Sequence, residues 1–218
     1  MRRALAVLSS SALLLVMSAA ACSGSDASGD EAQVRAAFRT YKQAVLSGNG
    51  EAAAGVVTAD TIEFYDRIRA LALSADSEAV HGYSMINRLS IAAFRLLVSA
   101  DTLRSLSGRQ LFAYAVEHGI GIDQEGVTGL ELDGVDVFGN TAKAKVVVRG
   151  DETPLEVEFN KERGAWKFDI EGLLGFADLA LQEAADKVGI PEDELIYRAL
   201  EAGSGRHVDA SIWDPLQP

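Results

Sequence analysis

Chemistry in this chain begins with a single residue, Cys22. It is the only cysteine among 218 residues, so it cannot close an internal disulfide, and an odd thiol needs its own explanation. The next candidates are acids. Asp123, Glu125, Glu131, Asp133 and Asp136 fall close together, a composition that could attract Ca2+. A calcium loop of the EF-hand kind needs carboxylates at alternate loop positions and a closing glutamate, and this run lacks that spacing. Acids alternating along a solvated strand and loop explain it more simply. There is no His/Cys set with zinc-ligand spacing, no P-loop and no G-x-S-x-G. No metal, no cofactor and no catalytic residue is therefore expected.

The segment around Cys22 sets the compartment. Arg2 and Arg3 form a positive start, Leu5 to Met17 an apolar run, and Ser18-Ala19-Ala20-Ala21 a site of small residues, the three parts of a cleaved export signal. The apolar run is short for a membrane span, which needs roughly 20 apolar residues. Ala19-Ala20-Ala21-Cys22 resembles the bacterial lipobox, with Ala19 where leucine is usual. That resemblance implies a diacylglycerol thioether on Cys22, which becomes the mature N-terminus. The alternative is an ordinary signal peptidase site with an incidental cysteine. One acyl chain anchors a protein only marginally, whereas two hold it stably. Residues 23–30 are small and polar, the composition of a flexible tether.

Charge excludes one partner class. The chain carries 20 Lys and Arg against 32 Asp and Glu, and loss of Arg2 and Arg3 with the leader takes its net charge from −12 to −14. Nothing downstream clusters basic residues as phosphate contacts require, so nucleic acid is not expected as a partner. Anionic headgroups also repel such a domain, which leaves the lipid on Cys22 to hold it at a membrane.

Hydrophobic spacing supplies the elements. Val34, Phe38, Tyr41 and Val45 recur at helical period between Glu31 and Ser47, with Arg35, Arg39 and Lys42 on another face. Gly48-Asn49-Gly50 stops that helix, and a short one follows over Glu51 to Val57. Asp60 with Glu63 predicts a cap for a helix through Ile62, Tyr65, Ile68 and Ala72. Ser77 to Ala100 reads as one long helix with Val80, Tyr83, Ile86, Leu89, Ala93 and Leu97 on its stripe, and Asp101 as a further cap. Ser107-Gly108-Arg109-Gln110 predicts a capping box for Leu111 to His118.

The period then changes to two. Leu130 to Val137, with a bulge at Gly134, Ala142 to Val148, Leu155 to Phe159 and Trp166 to Ile170 alternate apolar and polar, with turn residues between them. They predict a four-stranded antiparallel meander with Val146, Val157, Phe159, Trp166 and Phe168 buried against the Val34–Val45 helix. Two helices close the chain, Leu173 to Val188 and one opening at Pro191 ahead of Glu192, Asp193 and Glu194. Helices first and meander second make an α+β fold, with N-terminal helices, a curved sheet and extra C-terminal helices. The expected organisation is a signal peptide at 1–21, lipidated cysteine and tether at 22–30, one domain at 31–203 and an irregular tail at 204–218.

"VRAAFRTYKQAVLSGNGEAAAGVVTADTIEFY" followed later by "VEFNKERGAWKFD" is similar to secreted members of the nuclear-transport-factor-like (SnoaL-like) superfamily. The resemblance covers roughly residues 31–75 and 127–171. It implies a cone in which a curved sheet wraps a long helix around an apolar pocket. Enzymes of that superfamily place an Asp or His with Tyr partners inside the cone, which makes Asp60, Tyr65, Asp66, His81 and His118 the candidates here. Each also has a structural explanation: Asp60 as a helix cap, Tyr65 as core beside Ile62 and Ile68, His118 as a cation at a helix C-terminus, His81 as the start of an apolar helix. An open cone would be lined by Phe38, Tyr41, Tyr65, His81 and Trp166.

The leading expectation is a membrane-anchored, extracytoplasmic lipoprotein that binds a small apolar ligand or a partner protein at the cell envelope without catalysis. A dehydratase or isomerase using an interior Asp or His, and a structural or assembly factor without a pocket, are the alternatives.

Overall fold

The structure, a computed structural model, describes residues 24–121 and 124–216, so Cys22 and the leader before it lie outside the described residues. Helix α1 spans Gly24–Leu46 and buries Val34, Phe38, Tyr41 and Val45, as their spacing requires. It begins upstream of Glu31, within the stretch whose composition predicts a flexible tether. Asp30, in the last position of that stretch, is clasped to the sheet. Trp166 Nε1 and Lys161 Nζ donate to the same Asp30 oxygen, at 2.8 and 2.6 Å, which ties this end of α1 to the sheet. These two donors, Lys161 foremost, hold the Asp30 carboxyl below the usual carboxylate range.

Four strands, β1 (Leu130–Phe138), β2 (Thr141–Val148), β3 (Asp151–Glu162) and β4 (Ala165–Asp169), form one open antiparallel sheet in the order β1-β2-β3-β4. The fold is α+β. Val146, Val157, Phe159, Trp166 and Phe168 are all buried, while Lys143, Glu156 and Glu158 on the alternate phase are exposed. The register slips between Asp133 and Val135, at the glycine bulge that the sequence predicts. The turn between β3 and β4 is Arg163-Gly164, both at positive φ, which suits the right-handed twist of a two-residue hairpin.

Both sheet edges are blunted, the usual protection against edge-to-edge pairing. Along β1, Lys42 Nζ donates to Leu130 O at 2.7 Å and Arg35 Nη1 to Leu132 O at 2.9 Å. Along β4, residues 56–58 lie alongside: Phe168 N donates to Val56 O at 2.8 Å and Thr58 N to Phe168 O at 3.0 Å.

The other helices stack beyond α1. Helix α2 (Gly50–Ala54) packs on α7 (Gly108–His118), and α3 (Ala59–Ser74) packs on α7 and on α5 (Met85–Leu97). The capping box on α7 is present, Ser107 and Gln110 serving each other. The stretch 77–118 holds four helices rather than two, with α4 (Ser77–His81) and α6 (Ala100–Ser105) beside α5 and α7. Gly82 ends α4 and Ser84 precedes α5, so Tyr83 leaves the predicted stripe and is 41% exposed. Two predicted caps are also displaced. Thr58, not Asp60, accepts from Thr61 N, and Ser99, not Asp101, accepts from Thr102 N. Each acid instead occupies the first turn, where the positive end of the helix dipole favours it.

After the short helix α8 (Gln124–Thr128) and the sheet, the chain closes with α9 (Glu171–Val188), α10 (Glu192–Ser204) and a 3-10 helix at Ala210–Trp213. The expected irregular tail belongs to the domain, because Val208 and Trp213 are buried and Trp213 Nε1 donates to Tyr197 Oη at 2.6 Å. Arg95 adds a second tie. Its guanidinium is buried and donates to Leu71 O, Ala72 O and Ala75 O at the end of α3, and to Ile212 O in the tail. Ala72 O and Ala75 O thereby gain a cationic donor, and Leu71 O, which already accepts from Ala75 N at 3.0 Å, gains a second one.

Candidate functional site

The layer between α1 and the sheet is an aromatic core. Phe38 meets Phe168 edge-on with centroids 5.5 Å apart and Phe159 at 6.4 Å, and Tyr41 lies 4.8 Å from Phe168. Trp166 sits on the same face with its N–H committed to Asp30. Tyr65 belongs to the helical layer, edge-on to Phe112 at 5.0 Å and Phe94 at 6.2 Å. Burial pushes both phenols, Tyr41 and Tyr65, far above the ordinary tyrosine range, and the nearness of Tyr65 adds to the rise at Tyr41. His81 lies apart from all of these, exposed at the end of α4. The five residues assigned to one pocket therefore occupy three separate environments.

The acid–base candidates serve structure. The Asp66 carboxylate accepts from Gly108 N at 2.7 Å and so caps α7 from a neighbouring helix. His118 Nδ1 lies 2.9 Å from Tyr114 O, with its ring stacked on Tyr114 at 3.8 Å. Both ring nitrogens of His81 are occupied, Nδ1 by Ser77 O at 2.6 Å and Nε2 by Asp193 at 2.9 Å. A histidine so engaged has no nitrogen left for a substrate proton. Among the described residues, no group of three or more His, Cys, Asp or Glu side chains could hold a metal ion.

A cleft forms instead where α9 crosses α3 and α5. Its inner part is a chamber of about 90 Å3, walled by Phe64, Tyr65, Leu89, Ala93, Phe94 and Leu174. Ser90 is its polar lining residue besides Tyr65, and its hydroxyl already donates to Ile86 O at 2.8 Å. Phe64, Ile86 and Leu174 also border an outer mouth of about 310 Å3, where Arg67, Asn87, Glu171 and Asp178 gather. Two bonds hold α9 over this mouth. Arg67 pairs with Glu171 at 3.3 Å, and Ile86 N donates to Asp178 Oδ1 at 2.8 Å. The second supplies the N-cap of α5, since the Ser84 side chain makes no cap bond.

Helix α9 is lightly held. Of its 18 residues only Ala185 is buried, while Phe176 and Leu179 are 42% and 60% exposed. Such a helix opens at lower cost than α3 or α5. Among the residues expected to line a pocket, Tyr65 reaches this cleft and Phe38 borders a separate groove beside β1. Phe64, Phe94, Arg67 and Asn87 were not singled out by sequence, because nothing in their spacing shows that α9 folds back over them. Among the described residues, no helix is long and apolar enough to cross a membrane. No protein-family model, no curated protein and no solved structure matches the chain.

Proposed function

We propose that this chain is an envelope lipoprotein, anchored through acyl chains on Cys22, whose domain binds a small amphipathic ligand without transforming it. The observation that carries the reading is an apolar chamber of α3, α5 and α9 that shares Phe64, Ile86 and Leu174 with an adjoining hollow of mixed charge. Ligand sites of this kind bury an apolar body and fix orientation with a few polar groups at one end. The chamber accommodates an apolar group of a few carbons, and Arg67 and Asn87 face a polar end. Helices ahead of a meander, with α1 across the sheet, support the nuclear-transport-factor-like reading. Arg67 and Glu171 pair with each other and Asp178 caps α5, so these groups hold structure at the mouth, which favours binding over acid–base chemistry. The outer apolar face of α9, with Phe176 and Leu179, favours a partner protein as the second reading.

The test uses hexanol and hexanoate as probes, titrated by NMR. Both bind saturably, and Ala93→Phe, which fills the chamber, weakens binding by at least about tenfold. Leu174→Ala enlarges the same space and keeps the probes bound, which guards against a folding defect in the first variant. Absence of saturable binding, or equal binding by Ala93→Phe, rejects the ligand reading.

A further inference from the structure

A second concave site lies on the opposite flank of the core, along the charged face of α1. The sequence leads one to expect no basic cluster suited to phosphate, yet Arg35, Arg39 and Lys42 recur at helical spacing, share that face and meet at one groove. They line a groove of about 200 Å3 against the edge of β1, floored by Phe38, Leu130 and Leu132. Arg35 and Lys42 each spend one donor on a β1 carbonyl, which fixes where these two cations stand. Arg39 stands between them on the helix and has no hydrogen-bond or ion-pair partner among the described residues.

Nine of the 18 Lys and Arg side chains among the described residues pair with a carboxylate. Only Arg35 does so here, pairing with Glu31 at 3.0 Å. Glu131 also lines the groove. Three cations against these two carboxylates leave a local charge of +1. The groove therefore matches a monoanion and not a polyanion. Arg39 and Lys42 also border a shallower hollow lined by Gln43 and Leu46, the latter 41% exposed. The net negative charge of the chain repels anions at a distance, but salt screens that repulsion beyond about 8 Å.

We propose that the groove between α1 and β1 binds a monoanionic phosphodiester joined to an apolar chain. The guanidinium of Arg39 and the free donors of Lys42 take the phosphate oxygens, since a planar fork matches their geometry and charge-assisted bonds are the strong ones. Phe38, Leu130 and Leu46 take the chain. The site is independent of the α3–α5–α9 cleft and of any lipid on Cys22.

The test is residue-resolved NMR on the full chain carrying Cys22→Ser, so that no acyl group contributes. The probes are monomeric dihexanoyl phosphatidylglycerol, glycerophosphoglycerol (the same phosphodiester without chains) and inorganic phosphate. The chain-bearing probe shifts the amides of Arg39, Lys42 and Leu132 saturably and binds more tightly than the other two. Arg39→Gln weakens it about tenfold, the size of one charge-assisted hydrogen bond, with the thermal melt unchanged. Lys187→Gln on α9 removes the same charge elsewhere and leaves binding as it was. Shifts centred away from the groove, equal binding by Arg39→Gln, or equal binding of glycerophosphoglycerol or phosphate each overturns the proposal.

Discussion

His81 Nε2 lies 2.9 Å from Asp193 Oδ2, joining the end of α4 to the first turn of α10. On the other side of the ring, Nδ1 sits 2.6 Å from Ser77 O and must carry a proton to make that bond. Neutral imidazole would then turn a bare Nε2 toward a carboxylate, two acceptors face to face. The charged ring resolves this, and the Asp193 bond, then the Ser77 bond, raises the His81 pKa above its ordinary value. Asp193 also accepts from Arg88 Nη1 at 2.7 Å, Arg88 further pairs with Glu192, and the Trp213 ring lies edge-on to His81 at 5.3 Å.

A raised histidine pKa in the folded state stabilises the protein fully below the unfolded value, near pH 6.5, and the gain is lost as pH rises through the folded value. The wild type should therefore exceed His81→Gln in melting temperature at about pH 5.5, with the gap closing toward about pH 8.5. The site is partly exposed, so the effect stays below about 1 kcal/mol. Melting curves across that range decide it; a gap that widens with pH would show that His81 is neutral in the fold.

Arg95 offers a larger effect. Arg95→Met keeps the aliphatic stem but takes the guanidinium donor from Ala72 O, Ala75 O and Ile212 O, and leaves Leu71 O with only the Ala75 N–H. Urea unfolding should show a loss of about 3 kcal/mol. Arg95→Lys should recover little of it, because an ammonium cannot reach carbonyls spread across a planar fork. Full recovery by lysine would mean that charge alone, and not the fork, caps α3.

Trp166 separates packing from the Asp30 clasp. It is 4% exposed, so Trp166→Ala should cost roughly 3–5 kcal/mol through the cavity it leaves. Trp166→Phe retains most of the packing, loses only the N–H to Asp30, and should cost under about 1.5 kcal/mol. Hydrogen exchange at the start of α1 should rise in both variants. A cost below about 1 kcal/mol for the alanine variant would contradict a core position.

The anchor is tested by mass. Mature protein should begin at Cys22 and carry acyl chains, and Cys22→Ser should either free the protein or leave an uncleaved precursor. An unmodified thiol on mature protein rejects lipidation and leaves both the cleft and the groove of α1 standing.

Alternation and spacing are local properties, and on them the sequence alone determined a great deal. The stripe Val34, Phe38, Tyr41, Val45, the four alternating strands, the bulge at Gly134 and the Ser107–Gln110 box all follow from which residues can share a face or close a turn. Caps were harder to read, because Thr58 and Asp60, or Ser99 and Asp101, stand two apart and compete for one helix end. Only the tertiary structure decided the rest. Arg95, Asp30 and Asp178 look like ordinary solvated charges until distant segments bring them a partner. The cleft depends in the same way on α9 returning over α3 and α5, a contact whose sequence trace is one modestly apolar helix. A site made by packing distant segments has no period, so its residues are found only once the chain has folded around them.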